Sequence, residues 1–149
     1  MITVANQTLL SEWLCDKIGL VATPNMRCIG RLSASGKIMG VVGFDGYNGA
    51  SVMMHVAGEG NWINREMLRA CFDYPYNIMR CKVVLGMVPS GNVQAMKLNL
   101  HLGFKVVAEL RDAHPDGSAW IISMYRDECR WLIRGMEPEA TQAMQPVLH

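Results

Sequence analysis

The stretch HVAGEGNWINR, residues 55–65, concentrates the side chains whose types and spacing could do chemistry. A glycine loop between a strand and a helix can bring backbone N–H groups up to a phosphate. Gly58 and Gly60 permit that close approach, and Arg65 adds a positive charge. The same pattern also serves as an ordinary turn at a strand end. It is neither GxGxxG nor a Walker loop, since no Gly-Lys-Ser/Thr follows. His55 shares one strand face with Ser51, Met53 and Ala57. There it is either a general base near neutral pH or a satisfied, partly buried ring. Glu59 is a second candidate base, on a loop where carboxylates are usually solvated. Asn92 follows Pro89, Ser90 and Gly91 and precedes a helical segment. It suits an N-cap or a hydrogen bond to a ligand. Nothing marks Ser51 or Cys71 as a nucleophile, and there is no GxSxG elbow.

The elements that would position these groups follow from periodicity. Apolar residues Leu9, Leu10, Trp13, Leu14 and Ile18 predict a helix over 6–18, capped by Asn6 or Thr8 and ended by Gly19. Strands are expected at 26–32, 37–44 and 51–57, with turns at 33–36 and 45–49. A helix is expected over 62–74, with Pro75 ending it or beginning a turn. Then come a strand at 81–88, a helix at 93–102 stopped by Gly103, and a hairpin of 104–110 with 118–125. A short helix at 128–134 and a tail over 135–149, with a brief helix at 139–144, complete the pattern. The order α, β, β, β, α, β, α, β, β predicts a mixed α/β sheet in one domain spanning 1–149.

Composition narrows the classes. The 149 residues are 50% hydrophobic and 18% charged, with net charge +1. That suits one packed core and gives no large cationic footprint, so nucleic acid is not an expected partner. No apolar run reaches the roughly 18 residues of a membrane span, and no secretory leader stands out. The five cysteines are widely spaced without CxxC, which favours reduced core thiols in a cytoplasmic protein over zinc or disulfides. No metal site is expected. The 12 methionines and four tryptophans suit an irregular core or a homodimer interface.

Residues 92–104, NVQAMKLNLHLGF, resemble the Asn-x-x-Ala…Leu-Gly-Phe segment of the Gcn5-related N-acetyltransferase (GNAT) superfamily. Residues 105–131 resemble the C-terminal hairpin of its ribosomal-protein and small-substrate branch. Residues 65–76, REMLRACFDYPY, resemble the helix after the coenzyme A loop. The resemblance covers about residues 26–131. It implies a strongly twisted, mainly antiparallel sheet flanked by helices, of the acyl-CoA N-acyltransferase type. It implies acetyl-CoA held where 51–57 and 82–88 splay apart. Coenzyme A contacts would fall at Val56, Gly58, Gly60, Asn61, Trp62, Arg65 and Asn92. The acceptor would be a primary amine, on a protein N-terminus, a peptide or a small molecule. His55, then Glu59, would be the base. The chain departs from the family pattern at Ala57 and Trp62, which replace the opening Arg/Gln and final Gly/Ala of the pyrophosphate loop. Asn99 stands where a tyrosine acid is often found. Those departures leave a non-catalytic binding or regulatory protein of the same fold as the alternative. Only residues 1–4 precede the first helix, so the first strand would be short.

Overall fold

A computed structural model describes residues 1–132. Elements run β1 (Ile2–Thr3), α1 (Gln7–Ile18), β2 (Arg27–Leu32), β3 (Ile38–Asp45), β4 (Ser51–Gly58), α2 (Arg65–Asp73), β5 (Val83–Pro89), α3 (Val93–Leu102), β6 (Lys105–His114) and β7 (Gly117–Tyr125). The strands form one seven-stranded sheet in the order β1-β2-β3-β4-β5-β7-β6. Every neighbouring pair is antiparallel except β4 with β5. This is the mixed α/β, mainly antiparallel, helix-flanked fold that the resemblance implies. The first strand is two residues long and pairs with β2 through Ile2–Arg31 and Thr3–Gly30.

Two apolar clusters cover the two faces. On one face Leu10, Leu14 and Cys15 of α1 meet Met26, Cys28 and Val41. Helix α1 lies close because Gly30 and Gly43 present no side chain there: a Cβ on either would come within 2.6 and 2.5 Å of Leu10 and Leu14. On the other face Val42, Phe44, Val52 and Met54 pack with Met67, Cys71, Phe72, Val84, Phe104 and Met124. Asn6 caps α1 by accepting from the Leu9 N–H at 3.2 Å, and Gly19 ends it at φ 71°.

The structure corrects three expected boundaries and settles a fourth. Helix α2 starts at Arg65, not at residue 62. Asn64 is extended and accepts from the Met67 N–H at 2.8 Å, so capping outweighs the apolar character of Trp62 and Ile63. Of the two expectations for Pro75, the structure shows the second: it lies at the start of a turn. The proline cannot donate, and the chain continues through a single wide π turn, Tyr74–Ile78. Strand β6 runs on to His114, beyond the expected residue 110. Register shifts between Val106/Ala108 and Leu110/His114 break the two-residue alternation that would have revealed it. In place of a helix starting at residue 128, a short 3-10 turn spans Arg126–Glu128. The expected segments beyond residue 132 lie outside the described residues. No helix among the described residues is long and apolar enough to cross a membrane.

All five cysteines are free, and four are buried. Burial is the main cause that raises the Cys28 thiol to about 12 and the Cys81 thiol to about 11, from 9.0. The folded-state values lie above the unfolded one, so the unfolded chain releases these protons first. The stabilisation is complete below about pH 9 and is lost as pH rises toward 12. The urea midpoint is therefore expected to be lower at pH 10.5 than at pH 8. An equal midpoint at both would refute this.

Candidate functional site

The site begins where the only parallel pair of the described sheet comes apart. Strands β4 and β5 pair at Ser51–Val83, Val52–Val84 and Met53–Leu85 and no further. Beyond that point β4 continues from Met54 to Gly58 and β5 from Gly86 to Pro89. The phase of the β3–β4 ladder fixes which backbone groups face the opening. The Glu59 N–H donates to Met39 O at 2.8 Å, one step past the Gly40–Gly58 pair. Antiparallel ladders alternate, so Ala57 and His55 turn their backbone groups toward β3. Met54, Val56 and Gly58 turn theirs toward β5. Ala50 O, in the same phase, accepts from Lys82 N at 2.8 Å on the β5 side. With the β4–β5 ladder ended at Met53, the β5-facing groups of Val56 and Gly58 have no strand to pair with.

The unpaired edge continues into the loop. The backbone N–H groups of Gly60, Asn61, Trp62 and Ile63 donate to nothing among the described residues. The loop ends at the N-terminus of α2, where exposed Arg65 is the first helical residue. Across the opening, α3 begins just after β5. Asn92 caps it, its Oδ1 accepting from Ala95 N at 3.1 Å. Two helix N-termini thus lie near the open ends of β4 and β5, and both favour negative charge.

Two residues hold the loop in place. The Trp62 indole is 8% exposed and lies flat across the Gly40–Gly58 pair. A Cβ on Gly40 would stand 2.3 Å from its ring, and one on Gly58 2.1 Å. The ring spans β3 and β4, over Gly40 and Gly58. Arg31 is the second. It lies in the same cross-sheet row, opposite Gly40. Its Nη1 donates to Asn61 O at 2.9 Å and Trp62 O at 2.7 Å. The loop carbonyls are thereby tied to Arg31 while the loop N–H groups stay unpaired. Sequence reasoning gave no hint of Arg31, because its partners lie 30 and 31 residues away and only the sheet register joins them.

His55 is in β4 just past the last β5 pair, on the α1 face of the sheet. Its Nε2 is 2.8 Å from Asp45 Oδ1. Their side chains are 18% and 26% exposed. Asp45 was not singled out by the sequence pattern, since it reads as the first residue of an Asp-Gly turn. Glu59 is placed differently. Its Oε1 meets Lys17 Nζ at 2.8 Å and its Oε2 meets Lys37 Nζ at 3.7 Å. The hydrogen bond from Lys17, then the charges of both lysines, holds this carboxyl below its ordinary value. The group ties α1 and the β2–β3 turn to the loop and is a weaker base for it. Asn99 folds back on its own helix, its Nδ2 donating to Ala95 O at 2.8 Å. The structure thus brings Val56, Gly58, Gly60, Asn61 and Arg65 into one run along the opening. Trp62 joins that run through its backbone, and Asn92 stands opposite. No cluster of three or more His, Cys, Asp or Glu side chains suited to a metal occurs among the described residues.

No protein-family model matches the chain, and no curated protein matches it. Solved structures do. A spermidine N-acetyltransferase from Vibrio cholerae in complex with CoA and spermine superposes with a TM-score of 0.63 and 16% identity, over 78% of this chain and 74% of that one. A spermidine/spermine N-acetyltransferase from the same organism, in complex with manganese ions, gives 0.61 and 17%, over 76% and 72%. Likeness at this identity shows the fold alone, the one these acetyltransferase structures share. These structures are spermidine and spermine acetyltransferases, whereas the resemblance in sequence pointed to the ribosomal-protein branch.

Proposed function

We propose that the chain transfers an acetyl group from acetyl-CoA to a primary amine. The observation that carries this reading is the set of unpartnered backbone groups at Val56 and Gly58 together with the unpaired N–H groups of Gly60, Asn61, Trp62 and Ile63. It ends at a helix N-terminus beside a splayed strand pair. Val56 and Gly58 would hold the amide-bearing pantetheine arm as a further strand would be held. The N–H groups of Gly60, Asn61, Trp62 and Ile63, with Arg65 and the α2 dipole, would bind the pyrophosphate. Asn92 would close the opposite side. The thioester supplies the acetyl group to be transferred.

His55 is the base in this scheme, on the face of β4 that α1 also covers. The amine must lose a proton as it attacks, and a neutral imidazole suits that task near neutral pH. Holding both substrates in one slot would contribute on the order of 7–11 kcal/mol of barrier lowering in a well-aligned case. The acceptor is a primary amine of a small molecule or a peptide N-terminus. Polyamines belong in the same test, since the matched structures carry that class in their names. The alternative is a non-catalytic protein of the same fold, supported by Ala57, Trp62 and Asn99; the indole's place over Gly40 and Gly58 weighs against the form of it in which the ring fills the gap.

Calorimetry with acetyl-CoA is expected to show one-to-one binding in the micromolar range. Incubation with a panel of polyamines, small amines and peptides should then yield a product heavier by one acetyl group. Absence of any heat at high micromolar ligand would end the proposal.

A further inference from the structure

We infer that Asp45 is a positioning residue that fixes the tautomer of His55, so that Nδ1 is the nitrogen that takes the proton from the amine. This rests on the acetyltransferase reading above and adds to it which atom is the base and what holds it ready.

The argument starts from the sheet register. Asp45 ends β3 and pairs with Met53, two residues before His55. Antiparallel diagonal neighbours on one face are within reach of a long side chain. The residue directly opposite His55 is Gly43, which has no side chain to stand between them. The imidazole therefore turns toward Asp45, with Nε2 at 2.8 Å from Oδ1. An ionised carboxylate only accepts hydrogen bonds, so Nε2 must carry the hydrogen. In the neutral ring that leaves Nδ1 bare. Nδ1 makes no hydrogen bond among the described residues. Both side chains are mostly buried, so the pair is less exchanged with water than a surface contact.

The step balances. A neutral amine nitrogen forms a bond to the thioester carbonyl carbon, and the carbon–sulfur bond breaks. The proton shed by nitrogen goes to Nδ1, and from there to the departing sulfur, leaving amide, thiol and a neutral ring. Asp45 accepts the Nε2 hydrogen bond throughout and stabilises the imidazolium while it exists.

The direct test is the 15N NMR spectrum of the histidine rings in the wild-type protein, at a pH where they are neutral. His55 is assigned by the signal missing in His55→Gln. The expected pattern is a protonated Nε2 and a bare Nδ1. A protonated Nδ1 overturns the inference whatever the activity is. The kinetic test uses Asp45→Asn, whose amide can donate to Nε2 and so reverse the tautomer. kcat is expected to fall between about tenfold and 10⁴-fold, the upper end being the loss when a fully buried aspartate is taken from a catalytic histidine. The KM for acetyl-CoA should hardly change, and Asp45→Glu should recover part of kcat. Should Asp45→Asn fail to fold, the wild-type spectrum and Asp45→Glu decide. Unchanged turnover in a folded Asp45→Asn that binds acetyl-CoA refutes the positioning role alone. Failure of the wild-type protein to bind acetyl-CoA refutes the function instead.

Discussion

Trp62→Ala is expected to lower folding free energy by about 3–5 kcal/mol, the range for removing a buried aromatic side chain. The indole is 8% exposed and rests on two glycines that face one another across β3 and β4. Neither glycine has a side chain to move into the space it leaves. The cavity term should therefore be close to its full size. The loop should also lose its anchor, so acetyl-CoA affinity should fall together with stability. Denaturant unfolding gives the first quantity and calorimetry the second. A loss below about 1 kcal/mol would mean that the indole is not part of the core. A cycle sharpens the result. Gly40→Ala alone puts a Cβ 2.3 Å from the ring and should destabilise. In the Trp62→Ala background the same change meets open space and should be nearly neutral or stabilising. Additive effects would refute the contact.

The second large effect is on turnover. His55→Ala is expected to reduce kcat by about 10²- to 10⁴-fold, the usual contribution of a placed general base. Acetyl-CoA affinity should be kept, since the binding run is made of backbone groups and Arg65. Single-turnover acetylation separates the two quantities. Glu59→Gln serves as the comparison. Its carboxylate is already engaged by Lys17 and Lys37, so its loss should change kcat little. If Glu59→Gln falls as far as His55→Ala, the base has been placed on the wrong residue.

Much of the frame was legible in the sequence because local physics governs it. The Asp-Gly and Asn-Gly turns, the Asn6 and Asn92 caps, and the glycines that end α1 and α3 act through neighbours a few residues away. The strand-to-loop-to-helix path from His55 to Arg65 was legible for the same reason. Three parts were not. Strand β6 hid its last residues because its irregular register removes the alternation that marks a strand. The role of Trp62 depends on Gly40, which lies 22 positions earlier in the chain and meets it only through the β3–β4 register. The partners Asp45 and Arg31 are likewise set by register. Ala57 and Trp62 look like defects when the loop is compared with its usual pattern in one dimension. In three dimensions Arg31 binds the loop carbonyls, and the indole lies over Gly40 and Gly58.

The parallel seam between β4 and β5 is only three residue pairs long, and its middle pair, Val52 with Val84, has both side chains at 0% exposure. The sheet is thus two antiparallel leaves bound along a short spine. The place where the leaves are joined is set in the hydrophobic interior, at Val52 and Val84. The slot's width is consequently a property of core packing. A change of one methyl group at Val52 or Val84 would be felt as a change in the angle between the leaves, and so in what the slot can hold.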